Sequence, residues 1–181
     1  MRNKNFYELD INTCELADFD YQKLFYSLAI SKQQTPNSYL EIDKIPELIS
    51  LHKLYPFFND EISIFKVDGK HSDNSKWPIH IDSGRRSALN IPLINCDVKS
   101  ITSFYEKPKL FKNNLVPIEE YHISIVTGEL SIVEEFSLLK PTLINTSTPH
   151  SVKNNGTGYR IIMSWGSMLN FNELVNRIVG D

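Results

Sequence analysis

Trp77-Pro78-Ile79-His80-Ile81-Asp82 is the stretch that decides how this sequence is read. Its alternation of apolar and polar residues is that of a half-buried β-strand, in which residues two apart project from the same face. His80 and Asp82 are therefore expected side by side, an imidazole next to a carboxylate. One more histidine from a neighbouring strand would complete a 2-His-1-carboxylate set, which grips a metal ion from one side and leaves its other positions open. His150 is the candidate for that third ligand.

The texture around this stretch is β-rich. From Glu61 onward, short β-branched and aromatic runs are separated by Asn, Asp, Gly and Pro. Strands are expected at Ile62–Val67, Trp77–Asp82, Ala88–Leu93, Thr102–Glu106, His122–Val126, Leu130–Phe136, Thr142–Asn145, His150–Lys153 and Tyr159–Trp165. So many short strands in succession favour a jelly-roll or related barrel over an α/β fold.

Helices are expected on either side. One begins near Asp20, runs through Tyr21–Ile30 with Leu24 and Leu28 at helical spacing, and ends before Pro36. A second covers Ile45–Leu54, with Asp43 as its N-terminal cap, Pro46 in its first turn and Pro56 ending it. A last amphipathic helix spans Asn172–Val179. The reading is a single domain: a helical N-terminal buttress over 1–59, a β-core over 60–167 and a C-terminal helix over 168–181.

Composition narrows the function. The chain has 181 residues, 41% hydrophobic and 23% charged, which suits a globular protein with one sizeable core. A formal net charge of -3 offers no global attraction to nucleic acid or to an anionic membrane. Cys14 and Cys96, far apart, suggest neither a disulfide framework nor a zinc finger, and read as reduced, partly buried thiols. No apolar run approaches a membrane-spanning length and no secretion signal opens the chain, so a cytoplasmic location is expected. The sequons at Asn145 and Asn155 then carry no consequence.

The second informative region is Leu143 to Ser164, which reads as strand, turn, His150 at a strand start, a Gly-rich hairpin and a strand opening with Arg160. An arginine beginning an apolar strand calls for an anionic partner, because a buried unpaired guanidinium is costly. Its planar fork can grip a carboxylate through two hydrogen bonds. Ser164, four residues on and on the same strand face, could add a hydroxyl to that grip.

His80, Asp82, His150 and Arg160, in this order, resemble the Fe(II)- and 2-oxoglutarate-dependent oxygenases. That family carries HxD/E on one strand of a double-stranded β-helix, a distal His later, and an Arg or Lys shortly after it. The resemblance covers Trp77 to Trp165. It implies a mainly β fold with flanking helices around a double-stranded β-helix core of jelly-roll, cupin-like type. It further implies Fe(II) held by His80, Asp82 and His150, with 2-oxoglutarate as co-substrate held by Arg160 and Ser164. Dioxygen would be the other co-substrate, and the activity that of a dioxygenase, a hydroxylase of a peptidyl side chain or small metabolite. Asp82-Ser-Gly-Arg-Arg-Ser-Ala-Leu-Asn-Ile-Pro-Leu93, with Pro149-His150, looks most like the small aspartyl/asparaginyl and prolyl hydroxylase-type members. The aspartyl/asparaginyl β-hydroxylases commonly lack the acidic ligand, however, and Asp82 is present here.

Further candidates surround these residues. Tyr105 and Thr102 lie on an expected strand from which a hydroxyl could reach 2-oxoglutarate. Arg85 and Arg86 could bind the co-substrate or an anionic substrate, and Asn90 alternates with apolar neighbours and could face the cavity. Trp77 and Trp165 read as packing residues beside the site. His52, His71 and His122 lack partners and read as non-ligands, and Lys107–Lys112 as a solvated basic loop. Two rival readings remain: a cupin-like metal-binding barrel, an isomerase or ligand-binding protein that does not use 2-oxoglutarate, and a non-catalytic barrel with a structural triad. Arg160 separates the first rival from the oxygenase reading.

Overall fold

A computed structural model of the chain describes residues 4–10, 14–30, 38–107, 115–118 and 122–180. The strands among these residues are β1 (Phe6–Glu8), β2 (Ser38–Glu41), β3 (Phe58–Val67), β4 (His80–Asp82), β5 (Ser87–Ile94) and β6 (Ser100–Tyr105). They continue with β7 (Leu115–Ile118), β8 (Ile123–Val126), β9 (Ile132–Ser137), β10 (Thr142–Ile144), β11 (His150–Asn154) and β12 (Arg160–Ser167). The helices are α1 (Glu15–Asp18), α2 (Tyr21–Ile30), α3 (Pro46–Leu54) and α4 (Phe171–Val179).

The strands form two antiparallel sheets, ordered β1-β10-β5-β12-β3-β2 and β7-β8-β4-β11-β6-β9. This is the mainly β, jelly-roll and cupin-like architecture expected from the strand pattern.

Period-two alternation assigns each face of the first sheet a different task. On β12, Ile161, Met163 and Trp165 join Ile62 and Ile64 of β3 and Leu89, Ile91 and Leu93 of β5 in the main apolar cluster. Leu16, Leu24, Phe25, Leu48, Leu51, Leu174 and Ile178 close that cluster from the helices. The intervening residues Arg160, Ile162, Ser164 and Gly166 turn the other way and line a cavity between the sheets. The central strand β12 is thus buried along its whole length. A smaller apolar cluster, including Ala88, Phe104, Phe136, Ile144 and Ile162, fills part of the space between the sheets.

Local chemistry accounts for the helix ends. Asp20 Oδ1 accepts from the Lys23 amide at 2.9 Å, which starts α2. Asn170 Oδ1 accepts from the Glu173 amide at 3.0 Å, and Gly180 closes α4 in the left-handed region at φ 69°. The α3 cap differs from expectation. Asp43 lies within a 3-10 turn, Ile42–Lys44, and Ile45 is the cap, with no side-chain hydrogen bond. Pro46 at the first position supplies the fixed φ that starts the helix without one. The helix ends at Leu54, with Tyr55 as its C-cap just before Pro56.

Three strands lay outside the sequence reading. β1 and β2 occupy the two edges of the first sheet, and β7 an edge of the second. The first 59 residues are therefore not a purely helical buttress. Expected strand Trp77–Asp82 is shortened to β4, because Pro78 has no N–H for a ladder. Trp77 still donates its amide to Val152 O at 2.8 Å, so the segment runs beside β11 before pairing. His122 precedes β8 with φ 49°, which ends the extended run one residue early. Within β5, Pro92 pairs with Ile162 next to a register shift between Ile161 and Ile162, where the missing donor interrupts the ladder. Leu28 and most of the basic segment, 108–112, lie outside the residues whose side chains are described. Among the described residues, no helix is long and apolar enough to cross a membrane.

Candidate metal centre

Strand pairing brings the three expected ligands together. His150 of β11 lies directly opposite His80 of β4 in the antiparallel register, and Asp82 follows two residues along the same face. One donor atom from each lies within 4.8 Å of the others. His80 Nε2 is 3.6 Å and His150 Nε2 is 4.0 Å from Asp82 Oδ1, and all three side chains are buried. Bonds of about 2.1 Å at right angles place adjacent donors about 3 Å apart, so the three side chains would draw in by roughly 1 Å on taking up an ion.

The backbone sets the tautomers. His80 Nδ1 is 2.8 Å from the Pro78 carbonyl, and His150 Nδ1 is 2.9 Å from the Thr148 carbonyl. A carbonyl oxygen only accepts, so each Nδ1 carries the proton and each Nε2 presents a lone pair to the centre. Burial above all, with His80 beside it, pulls the His150 imidazole down to about 4. It is uncharged at neutral pH and able to ligate. Burial opposes ionisation of Asp82, but the charges of Arg85, His150 and His80 and the Arg85 hydrogen bond together hold its carboxyl below the usual range. Two imidazoles and one carboxylate are a donor set that suits a borderline divalent ion such as Fe(II).

Arg160 lies on the wall of the same cavity. It is 1% exposed, and its Nε has no hydrogen-bond partner. Among the described residues, no carboxylate is within ion-pair distance of it. Burial lowers its tendency to hold charge, and the neighbour that favours the charge is the Cys96 thiol. The cavity, about 240 Å³, therefore holds a carboxylate-bearing metal triad and a guanidinium that lacks an anion.

The other candidates separate by strand parity. Thr102 and Asn90 face the cavity. Tyr105, of opposite parity to Thr102, stands on the outer face, where its hydroxyl meets Ser151 Oγ at 2.9 Å; it is not among the residues that line the cavity. Ser164 lines the cavity, but its hydroxyl already accepts from Arg85 Nη1 at 2.7 Å and donates to Asn90 Oδ1 at 2.5 Å. Arg85 is at the cavity too, with Nε 2.5 Å from Asp82 Oδ2. Arg86 is exposed and does not line it. Trp77 packs beside His80 at 6.0 Å, whereas Trp165 faces the helical layer, stacked on Phe58 at 4.7 Å.

Sequence reading missed the β3 contribution. Glu61, Ser63, Phe65 and Val67 alternate along that strand and all line the cavity. The period-two signal was present, but nothing local said which face turned inward. Tyr39 of β2 and His122 meet edge to face at 5.8 Å on the cavity wall, so His122, outside the ligand cluster, nevertheless belongs to the lining. His52 is occupied elsewhere, beside Trp165 and 3.1 Å from the Phe58 carbonyl.

No protein-family model matches the chain, and no curated protein matches it in sequence. Solved structures match it in fold. The non-heme alpha ketoglutarate dependent epimerase SnoN from nogalamycin biosynthesis aligns with a TM-score of 0.51 at 13% identity, covering 92% of this chain and 79% of that one. The non-heme alpha ketoglutarate dependent carbocyclase SnoK from the same biosynthesis aligns with a TM-score of 0.52 at 11% identity, covering 92% and 81%. At these identities the likeness is one of fold, and this chain has the jelly-roll, cupin-like fold of those proteins.

Proposed function

We propose that the protein is a mononuclear Fe(II)- and 2-oxoglutarate-dependent dioxygenase that hydroxylates a peptidyl side chain or a small metabolite. The observation that carries this reading is Arg160, buried and without an anion in the cavity that holds the triad. Isolating a guanidinium in this way costs several kcal/mol unless a ligand supplies the missing charge. 2-Oxoglutarate has a carboxylate at each end. One end would meet the ion held by His80, Asp82 and His150, and the other the fork of Arg160. The fold shared with two alpha ketoglutarate dependent enzymes supports the same co-substrate.

Bound Fe(II), with 2-oxoglutarate and dioxygen, supplies an oxidant for a C–H bond, the balance being one hydroxylated product, one succinate and one carbon dioxide. The chain's own residues bind, orient and shield. Thr102 and Asn90 offer hydroxyl and amide groups inside the cavity, while Phe65, Trp77, Val152 and Ile162 keep its walls apolar and limit water. The substrate would approach past Tyr39 and His122, the more exposed part of the lining.

Succinate release tests the proposal. Iron-loaded protein under air should form succinate from 2-oxoglutarate slowly without a primary substrate, and Asp82→Ala and Arg160→Ala should lose that turnover. Metal-loaded wild-type protein that binds no 2-oxo acid would return the reading to a metal-binding barrel that does not use 2-oxoglutarate.

A further inference from the structure

We propose that Arg85 is a positioning residue that keeps Asp82 a one-oxygen ligand, and that Ser164 and Asn90 hold Arg85 in place; this rests on the metal reading above. The two oxygens of Asp82 have different surroundings. Oδ1 faces the two imidazole Nε2 atoms at 3.6 and 4.0 Å, whereas Oδ2 accepts from Arg85 Nε at 2.5 Å. A free carboxylate can bind a metal through one oxygen or both. Engaging Oδ2 with a charged donor takes it away from the ion and leaves an additional coordination position for an exogenous ligand.

Arg85 is itself anchored to the opposite sheet. Its Nη1 donates to Ser164 Oγ, which donates to Asn90 Oδ1, and Ser164 and Asn90 are register partners on β12 and β5. Asp82 belongs to the other sheet. Arg85 therefore ties the acidic ligand across the cavity to the two strands beneath it. The Phe65 ring lies 5.5 Å from the guanidinium carbon. Gly166 provides the space: a Cβ there would come within 2.8 Å of Arg85 Cδ. The chain Asp82–Arg85–Ser164–Asn90 leaves the Ser164 hydroxyl engaged with protein partners on both its donor and acceptor sides, a use different from gripping the co-substrate with Arg160.

The test uses Co(II) alone as the probe, with the full-length protein and its Arg85→Met, Arg85→Lys and Ser164→Ala variants. Dissociation constant, visible d–d spectrum and melting temperature are measured for each. Arg85→Met should weaken Co(II) about 10–100-fold, the range for losing a ligand's outer hydrogen-bond partner, and change the spectrum as Asp82 swings. Arg85→Lys should recover part of both, and Ser164→Ala should shift both in the same direction by less. A residue with only a structural role would lower the melting temperature and leave the spectrum unmoved. A folded Arg85→Met protein with the wild-type spectrum and affinity overturns the proposal. If that variant does not fold, an unchanged spectrum in both Arg85→Lys and Ser164→Ala overturns it equally. Wild-type protein that binds Co(II) but no 2-oxo acid removes the dioxygenase reading and leaves the Arg85 result standing.

Discussion

His80 and His150 face each other as register partners across β4 and β11, and each turns its Nδ1 onto the carbonyl two residues before it. The two rings are thereby anchored in the same way, with centroids 4.3 Å apart and their Nε2 atoms 3.6 and 4.0 Å from Asp82 Oδ1. Both orientations come from main-chain atoms, so the arrangement exists before any ion arrives.

The first prediction concerns that preformed set. His80→Ala, Asp82→Ala and His150→Ala each remove a donor atom and should weaken Fe(II) or Co(II) by more than the roughly 10–100-fold typical of an outer partner. Calorimetry on metal-free protein measures this. Wild-type affinity in the three variants would place the metal elsewhere.

Arg160 should trade stability for ligand binding. Arg160→Lys keeps the charge but loses the two-pronged fork, and should weaken 2-oxoglutarate by about 1–3 kcal/mol, with Arg160→Ala worse. Arg160→Met should raise the stability of the ligand-free protein by about 1–4 kcal/mol, because an apolar chain of similar length replaces a buried charge that has no carboxylate partner among the described residues. Urea titrations with and without 2-oxoglutarate separate the two effects. A destabilised Arg160→Met protein would mean that the guanidinium already has an adequate partner.

Acid should destabilise the metal-free protein through His150. Its folded value, about 4, lies below the ordinary 6.5, so the unfolded chain binds more protons between these limits. The contribution is fully present above about 6.5 and is lost as pH falls toward 4, to the extent of a few kcal/mol. Asp82, also lowered, adds a loss at still lower pH. Denaturation midpoints at successive pH values should fall across this window, and His150→Gln should flatten the curve. An unchanged slope in that variant would assign the effect to other groups.

Gly166→Ala should act on the metal centre from a distance. The new Cβ would meet Arg85 Cδ at 2.8 Å, too close to remain, and would press on Asn59 Nδ2 at 3.0 Å. The shift falls on the Arg85 side chain, which bonds Ser164 and Asp82. The variant should reproduce part of the Arg85→Met change in the Co(II) spectrum, at a stability cost of about 1–3 kcal/mol typical of overpacking. An unshifted spectrum would show that Arg85 adjusts without releasing Asp82.

Much of this protein was legible in the chain because strand periodicity is local. Alternation over Trp77–Asp82 was enough to put His80 and Asp82 on one face, and Arg160 at the head of an apolar run was enough to make it buried. Of the edge strands, β9 was legible and β1, β2 and β7 were not. β1 and β2, of three and four residues, are too short to show an alternation of their own, and β7, although apolar, is interrupted by Pro117. Tyr105 shows the opposite limit: its strand was evident, but a one-residue difference in parity from Thr102 put its hydroxyl on the outer face.

The sequence by itself determined the candidate ligand types, their order and the mainly β character of the fold, since these depend on residue chemistry and on short local spacings. Only the tertiary structure decided what faces what. His150 is a partner of His80 because β11 pairs with β4 in one register, and a slip of a single residue would turn the imidazole out of the cavity. Arg85, which the sequence offers as a group for the co-substrate or an anionic substrate, instead bonds Asp82 and Ser164 because the packing of two sheets brings β12 beneath it and Gly166 leaves room. Such contacts join residues far apart in the chain, and their energy exists only once the loops between them have closed, so no local pattern encodes them.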